Sequence, residues 1–120
     1  MKHAVKVLLL AFCTMLPLAS APAADQTVYY YCYSSKPPYG AAVYFSEVFP
    51  ASLSVYHVGI SNAFDSFVAA RIDPDAQSGA SCMGPFDDHQ EAENKLNDHI
   101  GERRRAGKDV VLTRWSYRGD

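Results

Sequence analysis

The chain has 120 residues, of which 48% are hydrophobic and 20% charged, and it carries a formal charge of −2 at neutral pH. That length gives one domain with a modest core. The weakly acidic balance excludes a general nucleic-acid binder, which needs a basic face to meet phosphates.

Lys2, His3 and Lys6 open the chain on positive charge, Val7 to Leu18 is almost unbroken apolar sequence, and small residues follow from Ala19 to Ala24 around Pro22. This is the order of a bacterial secretory signal peptide. The apolar run is shorter than the roughly 20 residues a membrane-spanning helix needs. The expectation is a cleaved leader over residues 1–23 and a single α+β domain over 24–120, periplasmic or secreted, with no stable membrane anchor. Cutting after Ala21 would leave Pro22 behind the scissile bond, so cleavage after Ala23 or one residue later is favoured. Lipid attachment at Cys13 is disfavoured because a lipobox wants small residues before the cysteine, and Phe12 is bulky. Lys2 and Lys6 leave with the leader, so eleven basic residues become nine against thirteen acidic ones, a net charge of −4.

Cleavage also removes Cys13 and leaves Cys32 and Cys82. An even pair in an exported chain predicts a disulfide. Closing a loop of that length stabilises a fold by about 4 kcal/mol in the chain-entropy picture. The alternative, a catalytic thiol, needs a base beside it, and neither cysteine has a histidine close in sequence.

Val28-Tyr29-Tyr30-Tyr31-Cys32-Tyr33 predicts a first strand, and Lys36-Pro37-Pro38-Tyr39-Gly40 a turn. Ala42 to Phe49 reads as a second strand, with Val43, Phe45 and Phe49 on one face and Tyr44, Ser46 and Val48 on the other. Pro50 closes it, and Leu53 to Ile60 is either a short third strand or an extended loop. Asn62 is a helix N-cap candidate ahead of Phe64, Phe67, Val68 and Ile72, and Asp73-Pro74 stops that helix. Ala80 to Phe86 predicts a strand carrying Cys82.

The longest helix starts at Asp87 or Asp88, each with a Gln or Glu three residues on, and stops at Gly107. Its apolar stripe is thin: Ala92, Leu96 and Ile100. Val110 to Tyr117 predicts a last strand, central or well covered, with Val111, Thr113, Trp115 and Tyr117 on one side and Val110 and Leu112 on the other. The order β-β-(β)-α-β-α-β predicts a small antiparallel or mixed sheet with two helices packed on one face.

Tyrosine is the densest candidate for function. Tyr29, Tyr31 and Tyr33, with Tyr39 and Tyr44, form an expected binding face for a protein, peptide or glycan, since aromatic rings with polar tips suit interfaces. Strand propensity alone also accounts for them. His89 and Glu93 share a helix face but supply only two ligands, and Asp73 to Gly84 departs from a calcium loop at Ser78 and Gly84. Arg103-Arg104-Arg105 with Lys108 compensates a helix C-terminus without needing a partner. No catalytic residues, metal site or cofactor are expected from these patterns.

Tyr31-Cys32, Val43-Tyr44-Phe45-Ser46-Glu47-Val48-Phe49, Phe67-Val68, Cys82, Ala92 and Gly107 through Val110-Val111-Leu112-Thr113-Arg114-Trp115 together resemble a set of small exported proteins of Gram-negative bacteria with no assigned chemistry. The resemblance implies the export and the paired cysteines. Gly84-Pro85-Phe86 with Glu91-Ala92 and Leu96 is also similar to the peptidoglycan-binding SPOR domain, although that domain runs β-α-β-β-α-β and this chain opens on two strands.

The functional expectation is a non-enzymatic exported protein that binds another macromolecule of the envelope, as an inhibitor does, through the tyrosines and the loops 34–40 and 50–61. The alternatives are a small glycan- or peptidoglycan-binding module and a small hydrolase or thiol enzyme.

Overall fold

A computed structural model describes residues 26–35, 41–74 and 79–119. The expected leader and the whole of the 36–40 turn, Tyr39 included, lie outside these residues. The elements run β1 (Thr27–Ser35), β2 (Ala42–Phe45), β3 (Phe49–Ser52), α1 (His57–Arg71), β4 (Ser81–Phe86), α2 (His89–Arg105) and β5 (Asp109–Leu112). The fold is α+β around one mixed sheet of five strands, as the pattern of residues predicted.

β1 is the organising strand. Its C-terminal half pairs antiparallel with β2, its N-terminal half with β3, and β4 pairs with it as well. β5 lies parallel to β2 at the end of the sheet. It is therefore an edge strand, not the central one its two apolar sides suggested. Asp88 caps α2 as expected, accepting from the Gln90 N–H at 3.1 Å, and Ala92, Leu96 and Ile100 are buried.

β2 and β3 are one predicted strand broken by a bulge. From Tyr30 to Tyr33 β1 advances three residues, while its partner advances four between Phe45 and Phe49. The extra residue reverses the alternation of faces. Phe49 thus joins Tyr44 rather than Phe45, and the face assignment made from strict alternation is corrected there. Ser46 makes the bulge tolerable. Its N–H donates to the Cys32 carbonyl at 2.9 Å, and its Oγ accepts from the buried Cys32 N–H at 2.8 Å, standing in for a lost backbone acceptor.

The two helices cover opposite faces of the sheet, which corrects the expectation that both share one. Val28, Tyr30, Cys32, Tyr44, Phe49 and Cys82 pack under Ile60, Phe64 and Val68 of α1. Tyr31, Val43 and Phe45 pack under Leu96 and Ile100 of α2. The reason is in β1 itself: a run apolar or aromatic at every position from Val28 to Tyr33 suits a strand covered on both sides.

α1 begins at His57, before the Asn62 cap that the sequence suggested, and takes in part of the ambiguous 53–60 segment. Tyr56 occupies the N-cap with no side-chain hydrogen bond, so no capping residue advertises the start. What sets it is burial: Ile60, Phe64 and Val68 recur every four residues on the face toward the sheet. His57 secures the first turn, donating from Nε2 to the Cys82 carbonyl at 2.9 Å with its ring edge-on to Tyr30.

The Cys32–Cys82 disulfide joins residues directly opposite each other on β1 and β4. Two residues on, Gly84 has φ +138°, and a Cβ there would meet the Tyr29 carbonyl at 2.7 Å and the Tyr30 ring at 2.6 Å. Only glycine fits that close approach.

Candidate binding surface

Of the tyrosines singled out as a face, the four among the described residues are buried or half-buried. Tyr31 is 2% exposed and Tyr44 7% exposed. The Tyr31 hydroxyl meets His99 Nδ1 at 2.9 Å, and the Tyr44 hydroxyl donates to Asp73 Oδ2 at 3.0 Å. Tyr33 is half-buried against Phe45 and His99, with the Arg103 guanidinium 6.0 Å from its ring centre. Tyr29 is half-buried, edge-on to His89. Alternation does place Tyr31 and Tyr33 on one face, but α2 sits on it. A sheet this small has little apolar surface to spare, and aromatic rings carry much of what it buries. These residues are the seat of a helix, not an open platform.

Among the described residues the large apolar side chains left in contact with solvent are Leu53, Tyr56, Val58, Ile72, Met83 and Leu112. Three of these gather at the β3–α1 junction: Leu53, 39% exposed, and Tyr56, 74%, in the turn, and Val58, 50%, in the first turn of α1. This turn lies in the 50–61 segment that the sequence marked as a contact loop. It is held in shape by its own hydrogen bonds. Leu53 N–H donates to the Gln26 carbonyl at 2.9 Å and Val55 N–H to the Ser52 carbonyl at 3.0 Å. Ser52 and Ser54 hydroxyls lie 2.9 Å apart, and Val55 packs inward against the α1-side core. The result is a braced turn with a large aromatic ring outward, and no capping interaction holds that ring down. The missing cap signal at Tyr56 is the sequence feature that points to it.

A second surface lies between α2 and the bulge. Glu47, Val48, His89, Glu93, Leu96 and Arg114 line much of a groove of about 430 Å³, with Leu112 exposed at its side. Arg114 has φ +62°, a left-handed backbone that a non-glycine residue seldom takes. Its floor is apolar and its rim carries both charges and an amide from Asn97. His89 and Glu93, paired by spacing on the helix, both belong to this rim.

With their sulfurs bonded to each other, Cys32 and Cys82 supply no thiolate, so the expected disulfide is present and the cysteine-nucleophile alternative has no nucleophile in this form. Among the described residues no cluster of three or more His, Cys, Asp or Glu is placed to hold a metal ion, and no helix is long and apolar enough to cross a membrane. Comparisons with protein-family models, with curated proteins and with solved structures returned no match.

Proposed function

We propose that the chain is an exported, disulfide-stapled protein that acts without catalysis, by binding another protein of the cell envelope in the manner of an inhibitor. The observation that carries this reading is the braced β3–α1 turn presenting Tyr56 with Leu53 and Val58. An outward aromatic flanked by aliphatics, on a backbone that has already lost its freedom, is the makeup of an interface anchor: little ordering entropy remains to oppose association. The disulfide supports an oxidising address, and the periplasm is the compartment we assign. The acidic mature chain suits a partner with a basic surface.

The experiment is capture from native periplasmic extract with the mature chain and with a Leu53→Ser/Tyr56→Ser double variant, followed by affinity measurement on the recovered partner. Both side chains are exposed, so the variant keeps its fold. Binding weaker by about 30-fold is expected, the loss that a residue worth about 2 kcal/mol produces. A partner held equally well by both proteins removes the turn from the account, and no specific partner at all removes the reading.

The groove beside α2 favours a second reading, a glycan-binding module, because its apolar floor and polar rim of Glu93, Asn97, His89 and Arg114 suit a sugar ring. Cosedimentation with purified sacculi separates the two. Retention that survives the turn variant and is lost in Arg114→Ala selects the glycan.

A further inference from the structure

We propose that α2 is fastened to the sheet by an acid-sensitive contact in which His99 is the titrating residue, so that mild acid loosens this helix while α1 stays docked. The inference concerns the fold itself and stands independently of any binding partner. It rests first on how little else holds α2. Its buried side chains are Ala92, Leu96 and Ile100, one thin stripe along 17 residues. His99 adjoins that stripe and makes the polar contact to the sheet, Nδ1 to the Tyr31 hydroxyl at 2.9 Å. Three rings surround it edge-on: Tyr33 at 4.5 Å, Phe45 at 5.1 Å and Tyr31 at 5.8 Å between centroids.

The chemistry of the contact requires a neutral imidazole. Burial, with smaller contributions from Tyr33, Glu102 and Asp98, raises the Tyr31 hydroxyl to about 12, so it is protonated and donates. Nδ1 accepts, which puts the imidazole proton on Nε2. A second proton would turn Nδ1 into a donor aimed at that hydroxyl, whose own hydrogen would then point into aromatic surroundings. The charged groups around the ring do not offset this. From α2 itself, Lys95 and Arg103 oppose Asp98 and Glu102, and the arginine already stands over Tyr33. From β1 come the Tyr31 and Tyr33 rings, and from β2 and β4 the uncharged Phe45 and Met83. Burial first and Arg103 second hold His99 below the ordinary histidine value, against a smaller upward pull from Glu102.

The sign follows. With the docked value lowered, the released helix binds the extra proton more readily, so docking weakens as pH falls below about 6.5. The loss continues until the docked histidine is protonated too, and is complete below that point. Above about 6.5 the contact is at full strength.

The test is native-state hydrogen exchange on the mature, oxidised protein at about pH 7.5 and about pH 5, corrected for intrinsic rates, with NMR titration of the imidazoles. Protection of α2 amides is expected to fall several-fold more than that of α1 amides on acidification. His99→Gln is expected to abolish the difference, and His89→Gln, at the exposed start of the same helix, to leave it. Equal responses of the two helices overturn the proposal. So does a wild-type His99 that titrates at or above the ordinary value, a result that needs no variant to fold. Transfer of the effect to His89→Gln overturns it as well.

Discussion

The two faces of the sheet are built from different materials. On the α1 side lie the disulfide, Phe49, Phe64 and Val68, with Trp115 closing over them at 5.2 Å from Phe64 and 5.7 Å from Phe49. On the α2 side the contacts are tyrosine, histidine and a helix polarised by charge, with Asp88 and Glu91 at its start and three arginines in its last turn. The α1 face is joined mainly by apolar area over a β1–β4 disulfide, with His57 donating to the Cys82 carbonyl and Tyr44 to Asp73 at its margins. The other depends in part on a hydrogen bond whose acceptor can be protonated. The same strand β1 serves both faces.

Substitutions of decreasing effect sharpen that contrast. Phe64→Ala opens a hole in the fully buried α1 face and is expected to cost about 3–5 kcal/mol in urea unfolding. A cost below about 1 kcal/mol would mean the α1 side is not the dry core described. Ser46→Ala leaves the buried Cys32 N–H without its acceptor, for an expected loss of about 1–3 kcal/mol in the same assay. If Ser46→Ala were neutral, the bulge would have to be satisfied in some other way. Asp88→Ala removes the cap that accepts from Gln90 N–H and should cost about 1 kcal/mol. That loss is expected in hydrogen exchange of the first turns of α2, with α1 unaffected.

Most elements were legible in the residues, and the gaps have physical causes. The thin Ala92/Leu96/Ile100 stripe, the Asp88 cap and the stop at Gly107, which has φ +82°, read directly because helix periodicity and capping are local. Val111, Trp115 and Tyr117 do pack on the α1 side and Val110 on the α2 side, but the predicted strand to Tyr117 stops at Leu112, and Arg114 with φ +62° breaks the alternation after it. Three things were hidden. The bulge at Ser46 to Val48 has no glycine to mark it, and what permits it is a side-chain hydroxyl bonded across to Cys32. The start of α1 lacks a cap. The covering of both faces was written in the unbroken run from Val28 to Tyr33, but tyrosine suits open and buried faces alike, so the run was read as a platform. The exposed ring that matters, Tyr56, lies in the segment that reads as either a short strand or an extended loop.

The measurement that bears most directly on the whole account is the intact mass of the protein recovered after export, before and after reduction. The expected product lacks residues 1–23, resists thiol reagents until reduced, and then gains the mass of two hydrogens. A full-length product with two reactive thiols at Cys32 and Cys82 would contradict the address, the staple between β1 and β4, and the class of partner assigned to the molecule.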